Sequence, residues 1–223
     1  MPRLRADAGL AQAANVLRET GHRLLRAPEV VGTLAGSRRP RLLRVRVLIL
    51  RDERGKPVAA PADVEPALAE ARRVLREHAA VELVPALEPV VTTLEVPAPS
   101  TALDSPCAEG SWRADFGTGG AFFRRFAVRP GRDGGGAPVT VFVVRDVLGK
   151  AGCSLGPLVD YVTVDMTALT GRTKRVLVHE LGHACGLPHS RAAENLMLPS
   201  RMGERLQPWQ VAVLRGSRHV TSG

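Results

Sequence analysis

The 223-residue chain predicts an α+β fold, and three observations carry that expectation. A strand-like run from Leu43 to Leu50 is followed by a helical stripe and then a second strand, Val81 to Val84. That order suits a parallel pair joined by a crossover helix. The run Val139 to Arg145 is β-branched, aromatic and almost continuously apolar, as a central strand buried on both faces should be. Residues 179–189 then read H-E-x-x-H-x-x-G-x-x-H, a helix that must reverse sharply at its end.

Taken in order, residues 8–26 place Leu10, Ala13, Ala14, Leu17 and Leu24 at helical spacings, which predicts an amphipathic helix, either an added packing helix or a short pro-segment. Pro28 to Pro40 reads as a linker. In the first strand Arg44 and Arg46 alternate with Val45 and Val47 before Leu48-Ile49-Leu50, and Arg51 to Pro61 is a turn. Asp63 is expected to cap a helix whose Val64, Leu68, Ala71 and Leu75 form one apolar stripe. Val90 to Val96 suits a further strand. Pro97 to Gly120 is expected to loop over the surface, anchored by Trp112 and Phe116, and Ala121 to Val128, with Phe122, Phe123 and Phe126, fits either strand or loop. Gly149 to Pro157 reads as a compact loop around Cys153, and Tyr161 to Val164 as a returning strand. Thr170 or Thr173 is the expected cap of the helix holding the motif. Pro208 opens a terminal helix expected to pack Trp209, Val213 and Leu214. Gly216 to Gly223 reads as a tail with a solvated His219.

The motif carries its own chemistry. His179 and His183 are one helical turn apart, so both imidazoles reach one ion. Gly186 can take the left-handed conformation that ends a helix, and Pro188 cannot continue one, so the chain turns back and delivers His189. Three neutral imidazoles leave a tetrahedral Zn2+ with one position for water, the pattern of a catalytic site. Such an ion lowers the pKa of its water towards about 7 and polarises a carbonyl. Glu180 directly follows the first ligand and is placed to act as general base, then acid. Metal ligands His179, His183 and His189 with catalytic Glu180 are therefore the candidate site. Cys185, about 240° around the helix from His179, faces away and reads as a core residue.

The long motif followed by Asn195-Leu196-Met197 resembles the metzincin zinc metallopeptidases, with Met197 in the place of the Met-turn methionine. His189-Ser190 adds a likeness to the matrixin branch. The resemblance is close from about Thr170 to Arg215 and architectural before that. It implies a zincin-like fold: a twisted mixed sheet with a backing helix, an active-site helix, and a small irregular C-terminal subdomain ending in a helix. On that reading residues 1–40 are an accessory helix and linker, and residues 41–223 the catalytic domain, its upper part about 41–186 and its lower part about 187–223. The resemblance also implies that the 149–158 segment forms the cleft rim against which an extended substrate pairs, and that 198–203 lines the pocket beyond the scissile bond, where Arg201 or Arg205 would favour acidic side chains. Departures narrow the branch. No tyrosine follows Met197 to serve as a further ligand of the astacin or serralysin type. His22, His78 and His219 are too scattered for the second zinc site of vertebrate matrixins. Asp133 alone makes no calcium site, and no C-x-x-C is present for the archaemetzincin branch.

Composition bounds the rest. A formal charge of +9 comes almost wholly from arginine, lysine occurring only at Lys56, Lys150 and Lys174. Arg38, Arg39, Arg41, Arg44 and Arg46 are the densest cluster and read as strand-flanking. No run of 18 apolar residues exists to span a membrane. The first 30 residues lack the unbroken apolar stretch of a signal peptide, whereas the family usually works outside the cell. Cys107 and Cys153 can pair if the compartment is oxidising. The leading expectation is a zinc endopeptidase acting on peptide or protein. The alternatives are a zinc hydrolase of short or modified peptides, or a basic, zinc-stabilised nucleic-acid binder, for which Glu180 would have no task.

Overall fold

A computed structural model describes residues 27–34, 36, 39–107, 115–129, 136–170, 174–199 and 203–222. Strand β1 (Arg41–Arg51) is the axis of the molecule. Its alternation sends Val47 and Ile49 to one face and Leu48 and Leu50 to the other, and all four are buried. The strand is long enough to serve two neighbours along one edge. β2 (Val81–Pro85) runs parallel to residues 41–45 and β3 (Val91–Pro97) parallel to its farther half. On the other edge β5 (Val139–Val144) pairs parallel to β1, β8 (Tyr161–Asp165) parallel to β5, and β7 (Gly152–Ser154) antiparallel to β8 as the outermost strand. The result is a mostly parallel mixed sheet in the order β2-β1-β5-β8-β7. A two-residue pair, β4 (Asp104–Ser105) with β6 (Asp146–Val147), lies beside it.

Helix α2 (Pro61–Ala79) connects β1 to β2 and buries Val64, Leu68, Ala71 and Leu75, the predicted stripe, against one face of the sheet. Asp63 acts from the third helical position rather than the cap: its carboxylate accepts the Ala60 N–H at 2.8 Å, and Ala60 itself is the cap. The same face receives α6 (Val176–Ala184), so one core joins the backing helix and the motif helix. The opposite face is covered by α3 (Ser100–Leu103) and by α4 (Thr118–Phe126). Residues 121–126 are thus helical, not strand or loop, and Phe123 packs on Phe142 and Tyr161 with ring centroids 4.8 and 5.0 Å away. Part of the stretch from Pro97 to Gly120 is accordingly ordered as helix and strand rather than a continuous loop. Phe116 is half-buried within it, and Trp112 lies outside the described residues.

Both ends of the described chain differ from expectation. Where a linker was expected, α1 (Ala27–Leu34) forms and packs on α7 (Pro208–Arg215). The helix expected over 8–26 lies outside the described residues. In α7 Ala212, Leu214, Gln210 and Arg215 are buried, while Trp209 is exposed and donates to Gln207. Arg215 sits in the protein because carbonyls replace its water: it donates to Ala79 and Ala80 at the end of α2 and to Arg39 before β1. Desolvation lowers its pKa. The expected tail is β9 (Val220–Ser222), antiparallel to Arg41–Leu43. His219 is buried rather than solvated, its Nδ1 2.7 Å from the Ala137 carbonyl oxygen. Among the described residues no helix is long and apolar enough to cross a membrane.

Candidate metal centre

Every residue of α6 is buried, which suits a helix enclosed between sheet and C-terminal segment. Its expected threonine cap is absent. Arg175 occupies the cap position, Thr170 ends the preceding helix α5 (Met166–Thr170), and Thr173 lies outside the described residues. The other end follows expectation: Gly186 has φ 92°, its N–H reaches the His183 carbonyl at 2.9 Å, and the Leu187 N–H reaches the Gly182 carbonyl at 3.0 Å. This reversal brings His189 back. The ligand nitrogens of His179, His183 and His189 all lie within 4.8 Å of one another. Cys185 lies in the core, away from them.

Two carbonyls orient the buried rings. His179 Nδ1 donates to Leu196 O at 2.8 Å and His183 Nδ1 to Leu187 O at 2.7 Å. A carbonyl can only accept, so both Nδ1 atoms carry hydrogen and the neutral rings present lone pairs at Nε2. Those two Nε2 atoms are 3.2 Å apart. Facing lone pairs repel unless a cation lies between them, and three converging imidazoles are a donor set that suits a zinc ion. The residues present therefore fit the metal that the motif implies.

The carboxylate and the methionine approach through two glycines. Glu180 is buried, and a Cβ built on Gly152 of β7 would lie 2.7 Å from its Cγ and 2.9 Å from its Oε1. A Cβ on Gly182 would lie 2.7 Å from the Met197 sulfur, so Met197 packs directly on the motif helix. The Asn195 side chain holds that turn. Its Oδ1 accepts the Met197 N–H at 2.9 Å, and its amide pairs with Gln210 of α7 through bonds of 2.7 and 3.2 Å. Leu196, between them, supplies the carbonyl for His179.

Of the residues that sequence reasoning named, the three histidines converge, Glu180 lies against Gly152 and Met197 lies against Gly182. That reasoning missed Gly152 and the Asn195–Gln210 pair. The only available signal for Asn195 was its place two residues before the methionine. The expected rim, 149–158, contains an edge strand rather than loop alone, and Cys153 in it forms a disulfide with Cys107. Arg205 is exposed and pairs with Glu194 at 3.0 Å, and Arg201 lies outside the described residues. Of the arginine cluster expected to flank a strand, Arg41, Arg44 and Arg46 lie within β1, Arg41 and Arg44 reaching Ser222 and Thr221 of β9, and Arg38 lies outside the described residues.

Comparison with known proteins adds to this geometry. Residues 161–209, the span of β8, the motif and the Met-turn, match the profile of the Matrixin family. No curated protein sequence matches the chain. Among solved structures, metalloproteinase-II from Bacteroides fragilis superposes with a TM-score of 0.51 at 12% identity, over 84% of this chain and 61% of that one. This chain therefore spans less than two thirds of that protein's length, and the likeness is one of fold. A zinc-dependent peptidase from Methanocorpusculum labreanum gives a TM-score of 0.44 at 14% identity, over 76% of this chain and 99% of that one. The profile match covers the motif and its flanks, and around it the likeness to the Bacteroides fragilis structure is one of fold.

Proposed function

We propose that the protein is a zinc-dependent endopeptidase. The observation that carries this reading is the convergence of three histidine nitrogens within 4.8 Å beside a buried glutamate that packs against the edge strand of the sheet. His179, His183 and His189 would hold the ion, and when bound it supplies a Lewis acid and a water of lowered pKa. Glu180 takes the proton of the attacking water and returns it to the departing amine, so that one C–N bond is exchanged for one C–O bond. Met197 supports the helix from below. β7 is the last strand in its sheet, and an extended peptide laid along its outer edge would be held by main-chain bonds. Edge pairing favours a peptide over a sugar or simple ester. The Cys107–Cys153 disulfide suits work in an oxidising compartment. Among the described residues no arrangement favours the nucleic-acid reading, in which Glu180 is idle.

The test measures bound zinc and cleavage of a casein-derived peptide for the parent and for Glu180→Ala. The variant is expected to keep the metal and to lose at least ~10² in turnover. Equal turnover in both proteins, or a parent that takes up no zinc, would overturn the reading.

A further inference from the structure

Beside the histidines lies a cavity of about 290 Å³ with walls from two distant parts of the chain. His183, His189 and Pro188 line one side, and Ser154, Gly156 and Pro157 the other. The second wall is the turn that joins β7 to β8. Gly156 has φ 91°, Pro157 has no N–H to give, and the turn's own bonds, Gly156 N–H to Ser154 Oγ and Val159 N–H to Gly156 O, are both 3.2 Å long.

The Thr140 N–H ties the turn to β5 through Asp160 O at 2.9 Å, and the C-terminal segment holds it from another side. Arg218 is 3% exposed; its Nε donates to Pro157 O at 2.9 Å and its guanidinium pairs with Asp160. One side chain thereby grips the turn at two points three residues apart. Arg218 is itself anchored, because its carbonyl accepts the Ala137 N–H at 3.1 Å and β9, two residues on, is paired to β1. A buried ion pair seldom adds stability over apolar residues of the same volume, so what it contributes here is geometry.

We propose that Arg218 is a positioning residue for the substrate: by holding the Pro157 carbonyl and Asp160 together it sets the cavity wall opposite the histidines. This rests on the peptidase reading. It is tested on the full-length, zinc-loaded protein with Arg218→Lys, which keeps a charge for Asp160 but loses the planar fork that also reaches Pro157. Deuterium exchange is followed by segment, alongside cleavage of a quenched-fluorescence peptide. Exchange across 154–160 is expected to rise at least ~5-fold while that of 176–184 stays at the parental rate. The KM is expected to rise at least ~5-fold with kcat within about 2-fold. Parental exchange and KM in a folded Arg218→Lys protein would overturn the proposal, as would a uniform rise in exchange across the whole sheet. Should Arg218→Lys fail to fold, Asp160→Asn is read the same way, with the same two outcomes. A parent that cuts no peptide would sink the peptidase reading alone, since the exchange result still decides whether Arg218 holds the wall.

Discussion

The two sides of the cleft are assembled over different distances along the chain. On the helix side the three rings come from residues 179–189, and the carbonyls that orient His183 and His179 are only 4 and 17 positions away. On the rim side Cys153 is tied to Cys107 across 46 positions, and Pro157 to Arg218 across 61. The three rings need only one helix and its reversal to converge. The rim needs partners from beside the second small pair of strands and from the C-terminal segment. The metal should therefore tolerate damage to the rim better than substrate handling does.

The sharpest way to break this contrast is to remove the disulfide. Closing a loop of this length contributes about 4 kcal/mol in the chain-entropy description, and losing a native bridge typically costs about 2–5 kcal/mol. Replacing both Cys107 and Cys153 by Ser is expected to lower stability in urea by about 2–4 kcal/mol while the folded protein still binds one equivalent of zinc. Loss of zinc in step with the bridge would show that the two sides are one unit.

A smaller effect is expected where the sides touch. Gly152 is the rim residue against which Glu180 lies, and an added methyl would meet both Cγ and Oε1 inside van der Waals distance. Gly152→Ala should displace the carboxylate without touching the rings. Turnover is expected to fall about 10-fold, equivalent to ~1.4 kcal/mol, with zinc content unchanged. A variant as active as the parent would mean that Glu180 takes its position from the helix alone.

The same contrast explains what could be read in advance. The histidines, Glu180 and the helix-ending Gly186 announce themselves because their spacing is local and each has a stated job. The β1 and β5 strands and the α2 stripe were legible for the same reason, since the apolar pattern of each lies within one segment. Residues 118–126 were not. Gly119 and Gly120 argue against a helix by propensity, yet a Cβ at either would collide with the backbone of Thr101 or Asp115, so close packing requires glycine there. Val220–Ser222 is too short to show a period and becomes a strand only because β1 offers an edge. His219 and Arg215 look like solvated polar residues, and their burial depends on carbonyls from residues 137, 39, 79 and 80. No local pattern encodes such partners.

The smallest expected effect concerns the hold on the helix side itself. Glu70 on α2 accepts from Arg73 and Arg175, and Glu204, after the Met-turn, accepts from the same two arginines. This cluster fastens the backing helix, the start of the motif helix and the Met-turn segment together. Arg73 first, and Arg175 after it, hold the Glu70 carboxyl down at about 2 against an ordinary 4.5, and the Glu204 carboxyl is lowered mainly by Arg73. A carboxyl with a lower pKa in the folded than in the unfolded chain binds fewer protons when folded. Its stabilisation is complete above about pH 5 and is lost as pH falls from the unfolded value towards about 2. The cluster is partly open to solvent, so Glu70→Gln is expected to cost no more than about 1 kcal/mol at pH 6. That difference should shrink steadily between about pH 5 and pH 2 in urea titrations of the two proteins. Acid also acts on groups outside the cluster, but it does so equally in both proteins, so the difference between them isolates the cluster. A gap between parent and variant that persists unchanged at pH 2 would place the effect in packing, and the helix side would then owe nothing to these charges.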